Sequence, residues 1–352
     1  MNTCQKRVCM SLPPRKISIA PMLDWTDRFY RYFARQITRH TWLYTEMVNT
    51  GAILHGQRER FLKFDACEHP LAIQLGGSEP AALASCARIA EEWGYDEVNL
   101  NVGCPSERVQ SGSFGACLMA EPLHVADCMK AMQDQVSIPV TIKHRIGIDD
   151  VESYDYLRQF VETVARHSDT RVFIVHARNA ILKGLSPKQN REIPPLKYHY
   201  VYQLKQEFPE LEIHINGGIT SLEQAQAHLQ HVDGVMIGRE AYHNPYCLAE
   251  VDRLIYGDDH PVPSREAIIH AIMGFVESEV ASGVPLKHIA RHILGLYQGL
   301  PGARHWRRML SDATLLKPND PQLLFKAIED LHQRASQRAD HASVAVSDSV
   351  SA

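Results

Sequence analysis

The sequence has no C-x-x-C pair, although it carries eight cysteines in 352 residues. They stand scattered at positions 4, 9, 67, 86, 104, 117, 128 and 247, which indicates neither a disulfide framework nor a metal site. No apolar run approaches the ~18 residues of a membrane span, and the mean hydropathy is −0.25. The opening segment, MNTCQKRVCMSLPPRK, has basic residues with no apolar stretch behind them, which is not the pattern of a secretory signal. A cytoplasmic location is the expectation. The chain also lacks a G-x-G-x-x-G turn after its first strand candidate, where it reads APMLDWTD, and this counts against a doubly wound dinucleotide fold. Net charge is nearly absent too: −4, from 37 basic and 41 acidic residues.

What is present is an ordinary globular balance, 45% hydrophobic and 22% charged, which excludes a disordered or fibrous chain. The basic residues are unevenly placed. From Val280 to Ser311 there is no Asp or Glu, yet Lys287, Arg291, Arg304, Arg307 and Arg308 fall there. A second acid-free stretch, Arg178 to Arg191, holds Lys183 and Lys188 besides its two ends. Local patches of this kind, rather than net charge, are what a phosphate backbone feels over a Debye length.

Short apolar runs alternate with amphipathic stretches. The strand candidates are 17–20, 43–46, 71–75, 97–100, 139–143, 172–176, 212–216 and 234–238. Helical patterns lie between them at 80–93, 123–135, 153–166, 196–208 and 222–231, with Ser78 a candidate N-cap for the first. Runs of this type suit strands buried on both faces of a parallel sheet. Eight βα units predict a (β/α)₈ TIM barrel over 16–256, after an N-terminal extension over 1–15. A breaker-rich linker, Gly257 to Ser264, leads into helical patterns only, so 257–338 reads as a small all-α domain. The polar tail 339–352 is expected to be disordered.

In such a barrel the C-terminal strand ends carry the chemistry. Those positions hold Pro21 and Met22, Glu46, Gln74, Asn99 with Asn101 and Cys104, Lys143 with Arg145, His176, Asn216–Gly217–Gly218, and Gly238–Arg239. The two last turns set glycine backbone next to helix starts, a phosphate cradle to which Arg239 adds charge. Lys143 reads either as a Schiff-base amine or as a cation against an anionic ring. His176 reads as acid, donor or satisfied core histidine. Gln74 offers a paired amide donor and acceptor. Phosphate cradle, amide and cation together suit flavin mononucleotide (FMN) better than a sugar phosphate. Cys104 sits in a turn at a catalytic strand end, where a nucleophile or proton donor belongs, and the glycine-rich segment 112–115 behind it reads as a lid.

The chain resembles the tRNA-dihydrouridine synthases, and most nearly their bacterial A-type subfamily. The resemblance rests on APMLDWTD (20–27), NLNVGCPS (99–106), VQSGSFGACLM (109–119), TIKHRIG (141–147), VHARNAILKGLSPKQNREIPPL (175–196), INGGI (215–219), GREAYHNP (238–245) and PGARHWRR (301–308), with no departure at a key position. It implies FMN bound by Pro21, Met22, Leu23, Gln74, Lys143, His176, Asn216, Gly217, Gly218, Gly238 and Arg239, and Cys104 as proton donor. It implies tRNA contacts at Asn101, Lys188, Arg191, Arg304 and Arg307. NADPH would be the reductant, and D-loop uridines at tRNA positions 20 and 20a the substrate, flipped out of their stack into the barrel. A monomer without metal or membrane attachment is expected. Two other readings stay open on the residues: a barrel reductase of a free pyrimidine or enone, and a non-catalytic RNA-binding flavoprotein.

Overall fold

The structure is a computed structural model that describes residues 12–106, 112 and 114–334. Strands β1 (Ile17–Ile19), β2 (Leu43–Asn49), β3 (Leu71–Gly76), β4 (Glu97–Val102), β5 (Val140–Arg145), β6 (Val172–His176), β7 (Glu212–Asn216) and β8 (Gly234–Ile237) all pair in parallel. Their order is β1-β8-β7-β6-β5-β4-β3-β2. The ring closes just ahead of β2: the Ile19 N–H donates to the Trp42 carbonyl at 2.9 Å and the Trp42 N–H to Ile17 at 3.0 Å. This is the expected (β/α)₈ barrel, with all eight strands where the apolar runs put them.

Helices Pro80–Trp93, Pro122–Gln133, Tyr154–His167, Tyr198–Glu207 and Leu222–Leu229 cover the outside. Proline in the first turn starts two of them, where its fixed φ costs no hydrogen bond. Ser153 and Ser221 cap two others through N–H groups of Tyr156 and Gln224. Ser78 does not act as a cap. The N-cap position is Glu79, and the Ser78 carbonyl instead meets His124 Nε2 at 2.8 Å and the Cys128 thiol at 3.4 Å. Tertiary contacts to the neighbouring helix have taken over that backbone.

The barrel interior is small and mixed. Ala20, Trp42, Tyr44, Ala72, Ile174 and Met236 fill it with Met22 packed on top, while the larger core lies between strands and helices. Residues 12–15 are more than an extension. Trp42 Nε1 donates to the Pro13 carbonyl at 2.9 Å, and the Arg15 guanidinium stacks on the Trp42 ring at 4.5 Å, closing the N-terminal end of the barrel.

After Ser264 the described chain is helical: Arg265–Ala281, Leu286–Ile293, Ala303–Ser311, Ala313–Leu316 and 323–334. These helices share the barrel's outer core without a break. They dock on the helix Arg28–Arg35, where Tyr32 stacks on Phe275 at 3.8 Å and Arg28 pairs with Glu279 at 2.6 Å. Residues 1–11 of the expected extension, 335–338 and the tail 339–352 lie outside the described residues, as do 107–111 and 113.

Candidate active site

Strand alternation decides which side chains enter the barrel. On β5, Thr141, Lys143 and Arg145 share the inner face, while His144 between them packs outward on Phe160 and Phe173. On β4 the inner set is Glu97, Asn99 and Asn101, and on β3 it includes Gln74. These polar residues would be costly there if unpaired. They pair with one another. Asn101 Nδ2 donates to Gln74 Oε1 at 2.7 Å, Gln74 Nε2 to Asn99 Oδ1 at 2.8 Å, and Asn99 Nδ2 to Thr141 Oγ1 at 2.8 Å. The Thr141 hydroxyl donates to Glu97 Oε1 at 2.6 Å, and Glu97 also accepts from the Tyr44 hydroxyl at 2.7 Å and Arg15 Nε at 2.5 Å.

At the mouth, Asn101 Oδ1 accepts the N–H groups of Gly103 and Cys104 at 3.1 and 3.0 Å. This turn holds Cys104 half-buried, its thiol 3.5 Å from Ser106 Oγ and its carbonyl bonded by the Ala116 N–H at 2.9 Å. Of the segment expected as a lid, Phe114 and Gly115 are buried in the core and Gly112 is exposed.

Arg145 closes the other side of that turn. It is 3% exposed and, among the described residues, donates only to carbonyl oxygens: Gly103 at 3.2 Å, and Asn179 and Asn190 at 2.9 Å each. Burial lowers its pKa to about 10. Lys143, paired in register with Asn101, has no hydrogen bond or ion pair among the described residues, and burial with the Arg145 charge lowers its amine to about 7. His176, in register with Arg145 and Asn216, is held well below its usual pKa by burial and by Arg145 and Lys143, so its imidazole is neutral at neutral pH.

The phosphate-cradle expectation meets favourable backbone. Gly217 and Gly218 have φ of +121° and +70°, and a Cβ on either would fall 2.8 Å from His176 or 2.6 Å from Leu196. Asn216 Nδ2 ties this turn to the Met236 carbonyl at 2.7 Å, beside Gly238. Arg239 pairs with Glu192 at 2.8 Å and its Nη2 reaches the Arg191 carbonyl at 3.3 Å. Among the described residues the Nε atoms of Arg178 and Arg191 are buried without a partner, and burial lowers both guanidinium pKa values. Arg145, Lys143, Arg178, Arg191 and Arg239 thus crowd a mouth where the Glu192 carboxylate pairs with Arg239. Such a field calls for an anion. A flavin phosphate fits the glycine turns, and the unpaired Lys143 amine fits a polar ring edge.

Not every expected residue converges. Leu23 is 67% exposed beside the mouth. Lys188 is exposed on the 178–196 loop. Arg304 and Arg307 lie on the helix Ala303–Ser311, Arg304 exposed and Arg307 bonded to Gln298 Oε1 at 2.5 Å. Sequence reasoning gave no role to Glu97, Arg145, Asn190 or Glu192. The alternation of Glu97, Asn99 and Asn101 along one strand was the available signal for the first.

A family profile described as dihydrouridine synthase (Dus) matches residues 18–333. A protein of Shewanella oneidensis named tRNA-dihydrouridine(20/20a) synthase is 62% identical over 298 residues, covering 85% of this chain and 88% of that one. Proteins of the same name from Escherichia coli strain K12 and Pseudomonas putida are 61% and 58% identical, over 84% and 92% of this chain and 86% and 96% of theirs. Among solved structures, a 2-naphthoyl-CoA reductase complex superposes with a TM-score of 0.50 at 9% identity, over 70% of this chain and 51% of that one, a likeness of fold alone. With the profile spanning barrel and helices alike, the chain belongs to the dihydrouridine synthase family.

Proposed function

We propose that this protein is a flavin-dependent oxidoreductase that reduces the C5–C6 double bond of D-loop uridines at tRNA positions 20 and 20a to 5,6-dihydrouridine. The observation that carries the reading is Cys104, a thiol held at the barrel mouth by Asn101 and Arg145 beside an unpaired lysine. The relatives' names supply the substrate class.

The residues carried over from the family resemblance would hold FMN. Gln74 and Lys143 would face its ring, Asn216 to Gly218 with Gly238 and Arg239 its phosphate, and Pro21 to Leu23 with His176 its flanks. The chemistry FMN would supply when bound is delivery of a hydride (two electrons and one proton, drawn from NADPH) to C6 of the base. Cys104 gives its Sγ proton to C5, so the π bond breaks as two C–H bonds form, and the thiolate regains a proton from solvent. Lys143 sets positive charge against the carbonyl edge where negative charge accumulates, in a site poor in water. Neutral His176 serves as a hydrogen-bond partner and does not carry charge at neutral pH.

Lys188, Arg191, Arg304 and Arg307 grip RNA phosphates and Asn101 meets the extruded base. Among the described residues no helix is long and apolar enough to cross a membrane and no cluster is arranged to hold a metal. We place the protein in the cytoplasm, where a tRNA substrate is met, and propose that it acts as a monomer. The test is incubation with NADPH and unmodified tRNA, reading dihydrouridine by mass spectrometry of nuclease digests. Turnover of free uracil or an enone with tRNA untouched would assign the barrel to small-molecule reduction instead.

A further inference from the structure

The polar chain through the barrel has a direction. From the mouth, the N–H groups of Gly103 and Cys104 donate to Asn101, Asn101 to Gln74, Gln74 to Asn99, Asn99 to Thr141, and Thr141 to Glu97. From the closed end, Arg15 donates to the other Glu97 oxygen. Both termini are donor-only groups: backbone amides above and a guanidinium below. A carboxamide passes polarity along, since one end donates and the other accepts, and a hydroxyl can turn either way. Two runs of donors that converge need one group between them that only accepts. Glu97, wholly buried, is that group.

We propose that Glu97 is a positioning residue for the reaction: its carboxylate, acting through Thr141 and Asn99, fixes the orientation of the Gln74 and Asn101 amides at the mouth and so the turn that holds Cys104. The inference rests on the reading that Gln74 faces the flavin and Asn101 the base. An amide orientation is set by its network rather than by its shape, and this network leaves one choice. Replacing Glu97 by Gln keeps the shape and removes the choice. The new carbonyl must face Arg15, so its NH₂ faces Thr141 and the whole run reverses. It ends with the Asn101 NH₂ against the N–H groups of Gly103 and Cys104, donor against donor. Adding Asn99→Asp moves the acceptor-only group two residues up the strand. Arg15, Gln and Thr141 then donate upward, Gln74 donates downward, and every bond of the run from Arg15 to Cys104 is restored with the original charge. The Tyr44 hydroxyl accepts from the Gln NH₂ where it had donated.

The experiment compares the parent, E97Q and E97Q/N99D by three readouts. These are melting temperature, FMN dissociation constant of the apoprotein, and the rate at which iodoacetamide labels the Cys104 peptide, followed by mass spectrometry. E97Q is expected to bind FMN about tenfold or more weakly, the cost of one unsatisfied buried group, and to label Cys104 several-fold faster. The double variant returns both within about threefold of the parent. A merely structural ion pair would lower only the melting temperature, and the second substitution would lower it further. E97Q matching the parent, or the double variant no better than E97Q, overturns the proposal. If E97Q does not fold, a folded double variant with parental FMN affinity supports it and an unfolded one overturns it. A parent that takes up no FMN would count against the flavin reading, while the order of labelling rates and melting temperatures would still judge the polar chain.

Discussion

Lys143 is where the charge of a single residue has the most measurable consequence. Its amine stands at about 7 when folded, against roughly 10.4 in an unfolded chain. Below about pH 7 it is charged in both states and the burial penalty is felt in full. Above that the folded form is neutral and binds fewer protons than the unfolded chain, so stability rises with pH up to the unfolded value. Urea midpoints of the apoprotein should therefore climb between pH 7 and 9 by an increment that Lys143→Met removes. An anion seated beside the amine raises its pKa again, so adding FMN should shrink the increment. At Cys104 the expectation is kinetic. Cys104→Ala should retain FMN and its reduction by NADPH, and lose roughly 10²-fold or more in uridine reduction, the contribution of a general acid. Rapid-mixing absorbance at the flavin band separates the two halves, and reoxidation by tRNA at the parental rate would make the thiol structural.

At the scale of elements, the loop 178–196 is held from inside by one side chain. Asn190 is wholly buried, accepts from the Ile181 N–H at 2.7 Å, donates to the Ile181 and Leu185 carbonyls at 2.8 and 3.2 Å, and offers its own carbonyl to Arg145. Asn190→Ala should cost about 1–3 kcal/mol of local stability, seen as faster proteolysis within 181–190 and weaker tRNA binding with the barrel's melting little changed. Gly218→Ala meets both a positive φ and the Leu196 side chain, and should cost about 1–3 kcal/mol together with FMN retention in gel filtration. What the sequence made legible follows the same division. Strand positions were readable because eight apolar runs are each bounded by turn residues, and the strand ends then named Gln74, Lys143, His176 and Asn216 directly. The helix Arg28–Arg35 was not, because RFYRYFAR mixes arginines with aromatics and two of its arginines are buried. Arg31 satisfies Glu68 at 2.6 Å, and Arg35 satisfies surrounding carbonyls. Pairings between distant segments, such as Arg239 with Glu192 or Arg145 with Asn190, leave no trace in local pattern at all.

For the whole molecule, the helices after Ser264 and the barrel are joined through the segment APMLDWTD. Its first residues lie at the mouth, Trp25 stacks on the barrel's own Tyr242 at 4.6 Å, and Asp27 accepts from His292 Nε2 at 3.0 Å and Arg291 Nη2 at 3.4 Å on the helix Leu286–Ile293. Against the upward push of burial, the His292 and Arg291 contacts hold the Asp27 carboxyl below its usual range, so this joint is strongest above the acid range and weakens as Asp27 protonates. Arg304 and Arg307 sit three residues apart on one helix face. Replacing both by Ala should weaken tRNA binding, and the slope of log K against log salt should become shallower by roughly one unit for each phosphate that is no longer neutralised. Reduction of the flavin by NADPH should be unaffected. Unchanged affinity and slope would move the RNA interface elsewhere.

The unbroken core between barrel and helices gives the molecule the character of a caliper. One jaw is the thiol at the mouth and the other the arginine face, and the Tyr32–Phe275 stack and the Arg28–Glu279 pair bind the two parts together. A gauge with fixed jaws chooses by distance rather than by letter. If the arginines hold tRNA phosphates as proposed, inserting one nucleotide between the phosphates they hold and the target loop should shift the reduced uridine by one place along the strand, at a rate near the parental one, when sites are mapped by sequencing. A tool that read neighbouring bases would follow the old uridine instead.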